Sequence, residues 1–302
     1  MTGWAADRES GSSDVALAFL QDLERFGATD ASPSAPDLRA ALLRWLRAAQ
    51  ATQPTMALVH QLAARALDVA AAGVARGDRP ADVRAHLAQS CDQERRDLAA
   101  ARESVARTAA SLLDRRGAWI ATLSSSATVR EALIAAKRAG REPRALVGEG
   151  RPRLEGRALA ASLAAEAIPV WLVADAALPL LLSQAAHLWI GADAVTESGA
   201  INKIGSFAAA LAAREHSVPC HALAGRRKFL PASTPALRIM EMPPAEIWEA
   251  PAPGVQPRNV YFEIVPMGLL RGVVVEGEVL GPTEAATLAR ERALPEELAA
   301  AP

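Results

Sequence analysis

The hydrophobic period changes at "LDRRG", residues 113–117, and no other feature limits the possible folds as strongly. Before it, apolar residues recur at helical spacing. In "PDLRAALLRWLRAAQ", Leu38, Leu42, Trp45 and Leu46 stand at i, i+4, i+7 and i+8, on one face of a helix. "MALVHQLAARALDVAAAGVARG" predicts a second helix that stops at the turn from Gly77 to Pro80. A third is expected from Asp82 to about Leu113, with Val83, Leu87, Cys91, Leu98, Val105 and Leu112 along one packing stripe.

After the break the apolar runs are short. "AWIATL", "RALVGEG", "IPVWLVAD", "HLWIGAD" and "VPCHALAG" are each bounded by a turn signal, and "TVREALIAAKRAG" and "SFAAALAAREH" read as helices between them. That alternation predicts a parallel sheet with helices on its faces. The chain is therefore expected to be α/β, with a helical domain over 1–115 and a sheet domain over 116–302. A proline-rich stretch, "PASTPALRIMEMPPAEIWEAPAPGVQP", reads as an extended crossing, followed by strand-like "VYFEIV" and "RGVVVEGEVL".

A formal net charge of −1 exerts no global pull on nucleic acid or an anionic membrane, so any anion site must be local. The apolar region "IPVWLVADAALPLLL" is broken by Asp175 and Pro179 and is short for a membrane span. The first residues lack the basic-then-apolar order of a secretory signal, and Cys91 and Cys220 have no metal-type spacing. The expectation is a cytoplasmic protein with free thiols, no metal and no resident cofactor.

In parallel sheets of this kind, ligands bind beyond the carboxyl ends of the strands. Four loops fall there. "ATLSSSATVRE" places Ser124, Ser125 and Ser126 between strand and helix, where hydroxyls and free N–H groups either cradle a phosphate or cap the helix; Thr128 and Glu131 fit a capping box. "GEGRP" offers Glu149 and Arg151, the arginine being an anion fork or a solvated charge. "GADAVTESGAINKIGS" holds Asp193 at a strand end and Asn202 with Lys203 at the opening of the next helix. "GRRKFLP" holds Lys228.

Lysine itself is informative. Of 33 Lys and Arg residues, only Lys137, Lys203 and Lys228 are lysines, and two of those lie in these loops. Ammonium is a compact point donor and guanidinium a wide planar fork, so a chain rich in arginine retains lysine where the fork does not fit.

The combination "GADAV…G…NKIGS…ALAAREHSVP", then "KF.P" and "YFEIVP…RGVVVEGEVL", resembles the superfamily of the α, β and δ subunits of translation initiation factor 2B. That superfamily also contains methylthioribose-1-phosphate isomerase and ribose-1,5-bisphosphate isomerase. The resemblance spans roughly Met56 to Gly281. It implies an N-terminal helical domain and a C-terminal Rossmann-like domain that binds ligand and dimerises.

In the isomerases the acid of "GAD" takes part in proton transfer, which corresponds to Asp193. Their cysteine turn "T-H-C" reads Thr122-Leu123-Ser124 here, so a hydroxyl replaces the thiol. An Arg-Gly-Ala phosphate loop is replaced by "TQPTMALVHQLAARAL", as in the regulatory subunits. A thiol can be tuned toward neutrality, whereas a serine needs a neighbouring base. Asp193 is then a base, a loop cap or a partner for a ligand hydroxyl.

The leading expectation is a homodimeric, non-catalytic protein resembling the regulatory subunits of initiation factor 2B, open to higher assembly, that binds a small phosphorylated sugar or nucleotide without direct nucleic-acid or membrane contact. Its binding residues are Ser124, Ser125, Ser126, Glu149, Arg151, Asn202, Lys203 and Lys228. The alternative is an aldose–ketose isomerase of a phosphorylated pentose using Asp193, and a third is a pure assembly protein.

Overall fold

The computed structural model describes residues 3–6 and 11–299. The chain forms two compact units: Met1–Ala100 with Ser233–Arg238 and Arg292–Pro302, and Ala101–Ala232 with Ile239–Glu291.

The first unit is helical. It contains α1 (Ser12–Thr29), α2 (Ala35–Thr52), α3 (Ala57–Arg76) and the first part of α4 (Pro80–Ser111). Ser34 caps α2 by accepting from the Asp37 N–H at 3.3 Å, and Gly77, at φ 73°, ends α3 in the left-handed region that favours glycine. Leu38, Leu42 and Leu46 are fully buried, as their spacing requires. Trp45 closes that face by packing on Phe19 and Phe26 at 5.5 and 5.6 Å. The apolar stripe of α4 is shared: Val83, Leu87 and Cys91 join the helical core, whereas Val105 joins the core of the second unit.

The second unit holds a seven-stranded sheet. In chain order come β1 (Trp119–Leu123), α5 (Ala127–Arg138), β2 (Arg144–Gly148), α6 (Glu155–Ala165), β3 (Val170–Val173), the short α7 (Leu178–Leu181) and β4 (His187–Gly191). Next are β5 (Ala194–Thr196), β6 (Gly199–Lys203), α8 (Ser206–Glu215), β7 (Cys220–Leu223), β8 (Phe262–Pro266), β9 (Gly272–Val274), β10 (Val279–Leu280) and α9 (Pro282–Glu291). The large sheet runs β10-β9-β7-β4-β1-β2-β3, parallel except for β10. The order reverses between β1 and β4, so this α/β unit has its crevice beyond the ends of those two strands.

A second sheet, β5-β6-β8, is antiparallel. It corrects the reading of "GADAVTESGAINKIGS" as a loop running into a helix. Asn202 and Lys203 end β6, and α8 begins at Ser206 after Gly205, at φ 98°. Every residue of β5 and β6 is buried, so the segment has no alternation of apolar and polar residues by which a strand is recognised.

The C-terminal runs supply an outer strand to each sheet, β8 to the small one and β10 to the large one, while Tyr261 and Val273 are 1% and 0% exposed within one chain. Among the described residues no helix is long and apolar enough to cross a membrane, and both cysteines are free and buried.

Candidate functional site

The carboxyl ends of β1, β2, β4 and β6 bring two groups of side chains together. At the end of β1, Ser124 takes φ 62°, unusual for a residue with a side chain, while its N–H donates to the Gly148 carbonyl at 3.1 Å. Gly150 must be glycine there. It also has positive φ, and a Cβ on it would lie 3.0 Å from Ser124 Cα.

This close approach sets Ser124 beside Glu155, the first residue of α6, with Oγ 3.5 Å from Glu155 Oε2. The other carboxylate oxygen, Oε1, accepts from Lys203 Nζ at 2.5 Å. Both members of that pair have side chains 8% exposed. The ammonium also lies 4.6 Å from the centre of the Tyr261 ring and 5.7 Å from that of Phe262. Lys203 thus sits between a carboxylate and aromatic faces, a setting for a compact cation.

The second group gathers around Gly191. A Cβ there would come within 2.8 Å of Ser126 Oγ and 3.5 Å of Asn202 Oδ1. Ser126 is the cap of α5, accepting from the Val129 N–H at 3.4 Å, which corrects the expected Thr128–Glu131 capping box. Thr128 is buried inside the first turn, and Glu131 instead pairs with Arg102 at 2.7 Å. Asn202 donates from Nδ2 to Ser206 Oγ at 2.9 Å, and Ser206 donates to the Lys203 carbonyl at 2.6 Å. Ser125 is exposed on the same turn.

The other expected residues fall around this centre in different settings. Glu149 pairs with Arg157 at 3.0 Å. Arg151 is exposed, and its N–H and that of Gly150 donate to Asp175 at 2.7 and 2.8 Å, so this pair of amides already holds a carboxylate. Asp193 is half-buried beyond β4, fixed by its N–H to the Ile201 carbonyl at 2.8 Å. Lys228 is buried and donates to the Ala192 carbonyl at 2.6 Å. Burial pushes the Lys228 ammonium below its usual range, and the Asp193 charge opposes that shift.

None of Glu155, Tyr261, Glu246 and Asp175 is among the site residues to which the sequence points. Tyr261, the one tyrosine of the chain, donates to Glu246, which also lies 3.8 Å from Arg153. Its rarity was a usable signal, like that of lysine. No thiol reaches the strand ends: burial pushes Cys91 and Cys220 up to about 12, and Cys220 pairs with Leu188 near the opposite ends of β7 and β4. Among the described residues no group of three His, Cys, Asp or Glu side chains is placed to hold a metal.

Residues 8–282 match the Initiation factor 2 subunit family. The chain belongs to this family. A putative translation initiation factor eIF-2B subunit 2-like protein of Pyrococcus furiosus is 35% identical over 187 residues, 61% of this chain and 65% of that one. The chain therefore spans just under two thirds of that relative. The ribose 1,5-bisphosphate isomerase of Haloterrigena turkmenica is 30% identical over 230 residues, 71% of this chain and 70% of the relative. Among solved structures, the translation initiation factor eIF-2B of Pyrococcus horikoshii superposes with a TM-score of 0.78 at 25% identity, covering 92% of this chain and 94% of that one. The family thus carries both initiation-factor and sugar-phosphate isomerase names.

Proposed function

We propose that this family member is a cytoplasmic homodimer that binds a small phosphorylated sugar or nucleotide at its strand ends without converting it. The carrying observation is the chemistry at the end of β1. Where the isomerases carry a thiol, this chain has Ser124, and its neighbours Glu155 and Lys203 are engaged with each other. Moving a proton between adjacent sugar carbons needs a group that titrates near neutrality. Both thiols of the chain are held protonated by burial, away from the strand ends. In this reading the phosphate is held at the turn of Ser125 and Ser126, with Asn202 across from it.

A second reading, aldose–ketose isomerisation of a phosphorylated pentose, is supported by Asp193, half-buried beyond β4, whose charge acts on the buried Lys228 ammonium. The 30% identity to a ribose 1,5-bisphosphate isomerase also favours it. One experiment separates the two. Phosphorylated pentoses and nucleoside monophosphates are titrated by calorimetry, and each mixture is followed by NMR for ketose. Saturable binding without product supports the binding reading; ketose formed at enzyme-like rates from ribose 1,5-bisphosphate or methylthioribose 1-phosphate overturns it.

A further inference from the structure

We infer that Glu155 selects hydroxyl groups at the Lys203 corner of the site and keeps phosphate off that lysine. This rests on the reading that the strand ends bind a phosphorylated sugar. The sequence alone suggests the opposite, since a rare lysine beyond a strand end looks like a phosphate ligand. The geometry gives Lys203 a resident anion, with Nζ 2.5 Å from Glu155 Oε1 and both side chains 8% exposed. Phe262 and Tyr261 occupy the sides of the ammonium.

A Cβ on Gly150 would fall 3.1 Å from Glu155 Oε2, so the absence of a side chain there leaves space beside that oxygen. The neighbouring amides of Gly150 and Arg151 are taken by Asp175. At the N-terminus of α8 the Phe207 N–H donates to Glu263 at 2.8 Å. These three N–H groups are thus met by the chain's own carboxylates. A phosphate brought to Lys203 would face the Glu155 charge at close range, and like charges repel strongly in a poorly hydrated site. A sugar hydroxyl meets no such barrier: it donates to Glu155 Oε2, beside Ser124 Oγ, in a charge-assisted hydrogen bond. Glu155 is thus a specificity residue for polyol phosphates.

The test uses ribose 5-phosphate and inorganic phosphate as probes on the full chain and on Glu155→Gln. The amide keeps the shape and removes the charge. Ribose 5-phosphate should bind E155Q at least tenfold more weakly, while inorganic phosphate should bind it at least tenfold more tightly because Lys203 is released. Ribose 5-phosphate bound by E155Q as tightly as by the parent, or unchanged phosphate binding, overturns the inference and leaves the binding reading intact. Parent protein that binds neither ribose 5-phosphate nor any other phosphorylated sugar overturns both. Should E155Q fail to fold, the double variant Glu155→Met, Lys203→Met removes the buried pair together, a change that folds tolerate well. It should bind ribose 5-phosphate no better than inorganic phosphate; retained preference for the sugar defeats the inference.

Discussion

Lys203, the last residue of β6, pairs with Glu155, the first residue of α6 and 48 positions away, and no local pattern in the sequence carries such a pairing. The partner changes what a substitution should do. Lys203→Ala leaves a buried carboxylate without its cation, which typically costs about 3–5 kcal/mol. The ligand-free protein should therefore lose that much in urea denaturation; a variant as stable as the parent would mean that water reaches Glu155 freely.

His60 gives the second prediction at this scale. Buried, it donates from Nε2 to the Pro54 carbonyl at 3.1 Å and accepts at Nδ1 from Gln50 Nε2 at 3.0 Å, so the neutral ring satisfies both partners. Burial lowers its pKa to about 4, against the usual 6.5. Between those values the unfolded chain binds a proton that the folded chain does not. Stability is therefore complete above about pH 6.5 and is lost as pH falls toward 4, by roughly 3 kcal/mol at about 1.4 kcal/mol per unit. His221, lowered by burial to about 4, adds a loss of the same sign. His60→Gln should flatten part of the slope of stability against pH over this range; an unchanged slope would assign the whole effect elsewhere.

At the scale of elements, the alternation of strand and helix was readable because each parallel strand is a short apolar run closed by a turn. The β5–β6 hairpin was not, because burial on both faces removes the period-two signal, and "INK" followed by "IGS" imitates the start of a helix. Gly199 is the element-level key. It follows the Glu197–Ser198 turn at φ 151°, and a Cβ there would lie 2.0 Å from the Val265 carbonyl oxygen of β8. Backbone cannot give way as a flexible side chain does. Gly199→Ala should therefore separate β6 from β8 and cost on the order of 2–4 kcal/mol, in the range of strained-backbone and overpacked variants. It should also disturb Lys203 four residues on, so amide exchange should rise in β6 and β8 together. A protein with normal exchange in both strands would show that the sheet absorbs a methyl group.

Assembly belongs to the whole molecule, and the burial of the C-terminal strands limits where a partner can sit. Tyr261 and Val273 are interior to one chain, so aspartate at either would unfold the protomer before it reported on a partner. The open edge of the small sheet is β8, bonded to β6 on one side only. On it Ile264 is 42% exposed, and Phe207, on the adjoining α8, is 38% exposed. An outer strand with exposed apolar side chains invites pairing unless something covers it, and a two-fold partner does so by setting the same patch against its own copy. Aspartate at 264 would then enter such an interface twice. Ile264→Asp should shift a homodimer toward monomer at micromolar concentration while leaving the unfolding free energy of the monomer within the small range of a surface change, about 0.5 kcal/mol. Leu38→Asp, at a fully buried position of α2, should instead unfold the helical unit. Light scattering settles the matter: a parent protein that stays a folded monomer of 31.7 kDa would mean that β8 is stable as a free edge and that the dimer does not form through it.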